Sequence, residues 1–164
     1  MNRDRSGLHP ELTVAAVVER NGRFMLVEER VSGRLVLNQP AGHVEPGETL
    51  VAAVIREALE ETAWTFVPEA IVGVYIWGRE RGQNPFLRVA FSGRCVDHDS
   101  QRRLDDGIER VLWLARPDLV ARSARLRSPM VLRAVDDYER GIRFPMDLFQ
   151  DLAVEQLTLR AAVL

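Results

Sequence analysis

The amino-acid sequence predicts an α/β protein in which a mixed sheet lies between helices, and three observations support this prediction. Segments of strand and helix character follow one another in the order strand, strand, helix, strand, strand, strand, helix. Asn21-Gly22 stands between two apolar runs, which is the strongest short-range signal of a β-hairpin. The segment from Leu50 to about Thr62 carries apolar residues at helical spacing, so we expect a helix that packs on the sheet.

The first half of the chain supplies the hairpin, a third strand and the first helix. Pro40 cannot donate a hydrogen bond to a β-ladder, so it marks the end of the third strand. Residues 42–47 form the loop before the helix, and Thr49 is the predicted N-cap. The predicted strands are Thr13 to Arg20, Arg23 to Glu29 and Leu35 to Leu37.

The second half is predicted to contain a further hairpin, one more strand and a second substantial helix. Val67-Pro68 is expected to break the chain directly after the first helix. Residues 97–107 form a charged loop, and Pro117 fits the first turn of a short helix. The predicted strands are Ile71 to Arg79, Phe86 to Val96 and Ile108 to Leu114, and the second helix is Met130 to Arg140.

Composition narrows the functional class. The 164 residues are 46% hydrophobic and 28% charged, which is the balance of one globular domain, residues 1–164, with peripheral tails at 1–10 and 153–164. A net charge of −2 argues against a nucleic-acid partner, and no apolar run is long enough to span a membrane. Cys95 is the sole cysteine, so no internal disulfide is possible and a cytoplasmic location is expected.

Three glutamates share one face of the first predicted helix. At 100° per residue, Glu57, Glu60 and Glu61 fall within about 100° of arc, beside an apolar stripe. Like charges at these spacings repel each other, and a hard divalent cation such as Mg²⁺ or Mn²⁺ would relieve the repulsion. The alternative interpretation is a solvated acidic face without a ligand.

The spacing of the whole stretch from Gly42 to Trp64 distinguishes these interpretations. It resembles the Nudix box of the Nudix hydrolases, with a glycine, a glutamate, an Arg-Glu pair and a Glu-Glu pair at the family's intervals. Ala58 is smaller than the usual aliphatic residue, and Ala63 replaces the second glycine of the motif. The matching positions are Gly42, Glu48, Arg56, Glu57, Glu60 and Glu61.

The resemblance implies a Nudix α/β/α sandwich that hydrolyses a phosphoanhydride bond with Mg²⁺ or Mn²⁺. The three glutamates match the family's metal-binding and water-activating carboxylates as a group, and Arg56 matches the residue that holds them by ion pairing. A plain surface pair between Arg56 and Glu60 is the alternative. The peptide carbonyl of Ala41 is a further candidate metal ligand.

Relatives often place another acid before the strand that ends at Trp113, where this chain has Gly107. Asp106 or Glu109 is the expected substitute, and the alternative is a solvated turn without a further carboxylate.

Candidate substrate contacts lie outside the helix. Tyr75 and Trp77 share one strand face, and Phe86 and Arg88 share a face of the return strand. If these faces meet over the box helix, they form an aromatic slot with an arginine for a heterocycle or a phosphate; half-buried core packing is the alternative. The further candidates are Gln39 for a base or ribose, His43 for phosphate, and Arg127.

Four segments extend the resemblance to one bacterial subgroup, the Nudix phosphatases that act on nucleoside tri- and diphosphates and on the thiamine precursor hydroxymethylpyrimidine diphosphate. This subgroup implies that a terminal phosphate is released from a small-molecule nucleotide or pyrimidine diphosphate. The segments are residues 37–43, 85–88, 126–129 and 138–145.

Two other functions remain open from the sequence. One is an ADP-ribose or dinucleoside pyrophosphatase, which would yield two nucleotide-bearing halves. The other is a catalytically weak, nucleotide-binding regulatory Nudix module, which Ala63 and Gly107 favour and the intact glutamates oppose. Either a monomer or a homodimer is compatible with the apolar tail at 152–164, for which packing on the body of the protein is the preferred interpretation.

Overall fold

The structure, a computed structural model, describes residues 9–78 and 84–152. Of the predicted tails at 1–10 and 153–164, residues 1–8 and 153–164 therefore lie outside the described residues. The strands are β1 (Glu11–Arg20), β2 (Arg23–Val31), β3 (Arg34–Asn38), β4 (Ala41–His43), β5 (Trp64–Trp77), β6 (Phe86–His98) and β7 (Ile108–Leu114). The α-helices are α1 (Leu50–Thr62), α2 (Arg116–Ala121) and α3 (Pro129–Glu139), and 3₁₀ turns cover Ser123–Arg125 and Met146–Leu148.

Strand β1 organises the sheet, whose order is β3-β2-β1-β6-β5, with β4 paired to β1 and β7 paired to β2. It runs parallel to β6 and antiparallel to β2 and β4, so the sheet is mixed, as predicted. Next to the turn, β1 pairs with β2 at Glu19 and Arg20. Further along, at residues 13–15, β1 pairs with β4 instead, so the sheet divides where β2 and β4 separate.

The helices lie on opposite faces of the sheet, which confirms the predicted α/β/α sandwich. Val54 and Ala58 of α1 pack with Val14 of β1 in one core. Val131 and Val135 of α3 pack on the other face, in a second core that includes Ala15 and Val17. Alternate residues of β1 thus enter alternate cores, as the two-residue period of a strand requires.

Two local predictions were wrong. Strand β4 was not predicted, because its three residues lie in a loop-like Gly/Pro context. The expected break at Pro68 does not occur, since β5 continues from Trp64 through it. The register between β5 and β6 shifts between Pro68 and Ala70, and β5 is an edge strand, so the missing proline N–H is tolerated there.

The ends of α1 follow local rules. The Thr49 hydroxyl accepts a hydrogen bond from the backbone N–H of Ala52 at 3.0 Å, which confirms the predicted N-cap. At the other end, Ala63 adopts the left-handed conformation with φ 59°, where the motif usually has glycine. Within residues 9–78 and 84–152, no helix is both long and apolar enough to cross a membrane.

Candidate active site

Arg56 lies at the centre of the polar face of α1. Its Nε and Nη2 donate to the two carboxylate oxygens of Glu48 at 3.1 and 2.6 Å. Its Nη1 donates to Glu57 at 2.8 Å and to Glu60 at 3.1 Å. Nη2 also donates to the carbonyl oxygen of His43 at 3.0 Å. Arg56 therefore joins three box glutamates to the end of β4, and its pairing with Glu48 raises its pKa further above the ordinary range.

Glu48 connects the loop to the helix. Besides its two-point contact with Arg56, Glu48 accepts a hydrogen bond from the backbone N–H of Glu45 at 2.7 Å. The Arg56 guanidinium is the main reason that the pKa of Glu48 lies below its usual range. Glu48 is thus held ionised at neutral pH as part of the scaffold around Arg56.

Glu57 and Glu61 are the buried carboxylates of the helix, each only 8% exposed. Glu61 accepts a hydrogen bond from the backbone N–H of Ala41 at 2.9 Å. Burial, with a further contribution from the charge of Glu57, raises the pKa of Glu61 to about 8. Burial likewise raises the pKa of Glu57, whose carboxyl occupies the space that a Cβ on Gly42 would need.

This arrangement fits a divalent cation in its donor chemistry. Among the residues that the structure describes, no group of three or more His, Cys, Asp or Glu side chains has the geometry of a metal site. Glu60 contacts Arg56. Glu57 and Glu61, however, are two buried carboxylates on the same helix face. Burial raises the pKa of each, because the charged form is poorly solvated there. Carboxylate oxygens are the ligands that Mg²⁺ and Mn²⁺ prefer, so the residues present fit such an ion.

Asp105 is a site residue that sequence reasoning missed. Its backbone N–H donates to the carbonyl oxygen of Glu60 at 3.0 Å, which places the charged loop against the end of α1. Its charge contributes to the raised pKa of both Glu57 and Glu61. The available signal for Asp105 was its position two residues before Gly107, a glycine with φ 94° at which the chain turns.

The two acids that were expected to supply a further carboxylate point elsewhere. Asp106 pairs with Arg103 at 2.8 Å, and the Asp106 side chain is 92% exposed. Glu109 pairs with Arg30 at 2.9 Å on the surface. Of the three acids in this segment, Asp105 is therefore the one whose charge acts on the buried glutamates.

A cavity of about 210 Å³, which we call the Arg88 cavity, adjoins this face where the sheet divides. Its wall includes Gly42, against which the Glu57 carboxyl lies, so the cavity and the glutamates are neighbours. The structure brings together here five of the predicted substrate contacts, which are His43, Trp77, Phe86, Arg88 and Arg127.

The aromatic part of the cavity differs in one respect from the prediction. The rings of Trp77 and Phe86 stack with centroids 6.2 Å apart and planes 18° apart. Tyr75 lies outside the lining, because its hydroxyl donates to Asp137 of α3 at 3.1 Å. The prediction is therefore wrong for Tyr75, which packs on α3, whereas Trp77, Phe86 and Arg88 line one cavity as expected. His43 packs against Phe86 with 6.3 Å between ring centroids.

Arg88 is only 6% exposed, although its side chain is charged. Its Nη1 donates to the side-chain oxygen of Asn38 at 3.1 Å, and Thr13 is its neighbour across the β1–β6 pair. Burial lowers the pKa of Arg88 to about 10, and the charge of Arg127 acts in the same direction. The guanidinium therefore remains cationic at neutral pH despite its burial.

Arg127 is held beside the cavity by its backbone, whose N–H donates to Leu37 of β3 at 2.8 Å. Its side-chain Nε lies 3.8 Å from Oε1 of Glu29, which is an ion-pair distance but too long for a hydrogen bond.

The structure separates Gln39 from this set. Gln39 is 1% exposed, and its side-chain N–H donates to the carbonyl oxygen of Val131 in α3 at 2.8 Å. It does not line the Arg88 cavity, whereas its neighbour Asn38 does. The two side chains point in opposite directions because they are adjacent at the end of an extended segment.

Comparisons with known proteins agree with this geometry. The NUDIX domain family matches residues 9–134. The chain is 34% identical over 142 residues to Phosphatase NudJ of Escherichia coli (strain K12), and the match covers 87% of this chain and 92% of that protein. Phosphatase NudJ of Shigella boydii matches with the same identity and coverage.

A NUDIX hydrolase from Nitrosomonas europaea has the same fold with a TM-score of 0.84 and 43% sequence identity, covering 87% of this chain and 97% of that one. The MutT protein from Methanosarcina mazei Go1 is also similar, with a TM-score of 0.63 and 27% identity over 82% of this chain and 95% of that one.

Proposed function

This chain belongs to the Nudix hydrolase family, and we propose that, as a phosphohydrolase acting on phosphoanhydrides, it releases the terminal phosphate of nucleoside tri- and diphosphates or of a pyrimidine diphosphate. The observation that carries the proposal is the set of box glutamates held by Arg56 directly beside the Arg88 cavity. The relatives at 34% identity are named phosphatases, which supports removal of one phosphate.

The size of the cavity supports the same choice. About 210 Å³ is below the roughly 300–1,000 Å³ of pockets that enclose a drug-sized ligand. The cavity therefore suits one ring or another small group, and the two nucleoside halves of a dinucleotide would not both fit in it.

The residues divide into binding and positioning roles. Glu57 and Glu61 would hold the divalent cation, and Glu60 completes the carboxylate group that binds metal or activates water. A bound Mg²⁺ or Mn²⁺ supplies the positive charge that stabilises developing charge on phosphate oxygens. Arg56 acts through the glutamates, because its five hydrogen bonds fix Glu48, Glu57 and Glu60 relative to β4.

The expected test is a phosphate-release assay on nucleotides and pyrimidine diphosphates with added Mg²⁺ or Mn²⁺. Glu61→Gln is expected to lower kcat by orders of magnitude while the fold persists, because it removes a charged ligand of the cation that stabilises the developing charge. Glu69→Gln is the matched control, because Glu69 is exposed and pairs with Arg94 at 2.9 Å. Chelation of the metal is expected to abolish turnover.

Product analysis decides between the two hydrolytic functions. Orthophosphate supports the proposal, whereas two nucleotide-bearing products would identify a pyrophosphatase. Full activity of Glu61→Gln, or activity that withstands chelation, would contradict the proposed metal chemistry. Tight nucleotide binding without turnover across the panel would identify a regulatory module.

A further inference from the structure

Buried polar atoms without hydrogen-bond partners collect around the Arg88 cavity. Across the described residues five such side-chain atoms occur, and four of them belong to residues that line this cavity. Leaving a buried donor or acceptor unpaired is costly, so such atoms in a native protein require an explanation. The four atoms are Thr13 Oγ1, Glu29 Oε1, Arg88 Nε and Ser128 Oγ.

The lining of the cavity therefore has unsatisfied hydrogen-bonding capacity. Thr13, Arg88 and Ser128 are 3%, 6% and 5% exposed, so bulk water does not satisfy their side chains. Arg88 is also fixed in place, since its Nη1 is bonded to Asn38 while Nε is left without a partner. A group that enters the cavity can form these hydrogen bonds without breaking any between the described side chains.

The cavity offers an acceptor as well as donors, so a ligand group that only accepts hydrogen bonds would leave Glu29 unsatisfied. Oε1 of Glu29 is an acceptor, and Arg127 lies 3.8 Å from it, beyond hydrogen-bond range. A phosphate oxygen beside Glu29 would face a carboxylate of like charge. A neutral group with both a donor and an acceptor can satisfy Glu29 and Arg88 together.

The aromatic wall specifies the kind of group. Trp77 and Phe86 present stacked rings to the cavity, and flat aromatic side chains of this kind bind heterocycles by stacking. Gly42 also lines the cavity, and the Glu57 carboxyl lies against it. If a ring occupied the cavity, the phosphates attached to it would lie near the box glutamates.

We infer that the Arg88 cavity reads the edge of a heterocycle that carries an amino group beside an unprotonated ring nitrogen, with Glu29 accepting from the amino group and Arg88 Nε donating to the nitrogen. Cytosine, adenine and 4-aminopyrimidines present this edge, whereas uracil and hypoxanthine present the reverse pattern of donor and acceptor. The inference rests on the proposed function and names the feature of the substrate that Glu29 and Arg88 select.

CTP and UTP test the inference because they carry the same sugar and triphosphate and differ only at this edge. The wild-type protein with Mg²⁺ is expected to prefer CTP over UTP in kcat/KM by roughly tenfold or more. UTP would leave the buried polar groups of the site unpaired, and such a substrate is strongly rejected. Glu29→Gln keeps the size of the side chain but lets an N–H replace the acceptor. This variant is expected to bring the CTP/UTP ratio close to one, and Glu69→Gln to preserve it.

A second variant tests the inference independently, in case Glu29→Gln does not fold. Arg88→Lys keeps a cation but removes the Nε donor, and it is also expected to lower the CTP/UTP ratio. Thermal unfolding of each variant verifies that it is folded. Equal wild-type kcat/KM for CTP and UTP would overturn the inference, as would an equal change for both substrates in Glu29→Gln, which indicates an anion site.

Binding separates this inference from the proposed function. Calorimetric titration with CMP and UMP reads ring recognition without turnover. If no nucleotide releases phosphate, the proposed function fails. The CMP/UMP affinity ratio then still decides the inference, because its loss in Glu29→Gln supports edge recognition and equal wild-type affinities refute it.

Discussion

Arg56 contacts the Glu57 carboxyl that lies against Gly42, and Arg88 lines the cavity whose wall includes Gly42. The two arginines differ in how completely the protein satisfies their hydrogen bonds. Arg56 makes five hydrogen bonds, four of them to carboxylate oxygens. Arg88 is more deeply buried, yet it makes one hydrogen bond to the neutral Asn38 and leaves Nε without a partner among the described residues. On our inference, the saturated Arg56 orders its neighbours, whereas the fixed but unsaturated Arg88 binds a ligand.

The electrostatic environments agree with this division. Contact with carboxylates raises the pKa of Arg56, while burial lowers the pKa of Arg88 to about 10. The hydrogen bonds of Arg56 are therefore used within the protein, whereas Arg88 still has a donor that pairs with no described residue.

Among the tests of this contrast, the largest effect is expected from Arg56→Lys. A lysine cannot bond both oxygens of Glu48 and also reach Glu57 and Glu60, so we expect kcat to fall about 10–100-fold, as for partners that orient metal ligands. Because the loss concerns positioning, CTP and UTP should be affected equally. Steady-state kinetics on both substrates is the measurement, with the exposed Arg94→Lys as control. A selective loss for one ring would show that Arg56 contacts substrate and would break the contrast with Arg88.

The next effect is a pH dependence of stability in the metal-free protein. Glu61 has a pKa of about 8 in the folded protein against an ordinary value of 4.5. Between these two pH values the folded state binds more protons than the unfolded state. The contribution of Glu61 to the free energy of unfolding therefore falls as pH rises from about 4.5 to about 8.

Denaturant unfolding in chelator at several pH values across that range measures this slope. Glu61→Gln should flatten it and should be the more stable protein near pH 8, because it removes a buried charge. Parallel curves for the wild type and the variant would show that Glu61 titrates normally. Added Mg²⁺ is expected to reverse the trend, since metal ligands must be deprotonated.

The smallest effect is expected at the end of α1, beyond both arginine environments. Ala63 adopts φ 59° and donates its backbone N–H to Leu59 at 2.9 Å, a conformation that costs alanine about 1 kcal/mol or more. Ala63→Gly should therefore raise the free energy of unfolding by about 1 kcal/mol. Ala52→Gly is the matched control, since glycine at an exposed helical position should lower stability by about 1 kcal/mol.

Chemical denaturation of both variants measures these opposite shifts, and the CTP/UTP ratio should remain that of the wild type. A destabilised Ala63→Gly would mean that the left-handed end of α1 is stabilised by contacts of the Ala63 methyl group, which is 3% exposed.

Features that depend on neighbouring residues were predictable from the sequence. The spacing of apolar residues, Thr49 and the box motif define α1 and its polar face, and Asn21-Gly22 defines the β1–β2 turn. The family resemblance also led to the sandwich, because its motif occupies the loop and helix as one unit. These signals work because helix periodicity, caps and tight turns are set by local chemistry.

Features that depend on strand register and packing were not predictable. Asp105, and not Asp106 or Glu109, reaches the glutamates because the charged loop bonds to the end of α1. Asn38 and not Gln39 faces Arg88, since neighbouring residues of an extended segment point to opposite sides.

The sequence by itself determined the fold class and the box helix with its polar face, since the signals for them lie within short stretches of chain. Only the tertiary structure decided that Glu29, Arg88 and Ser128, which are far apart in sequence, line one cavity. The physical reason is the division of the sheet, because β1 pairs with β2 at one end and with β4 at the other. That opening brings unpaired polar atoms from separate elements together, and no local pattern records it.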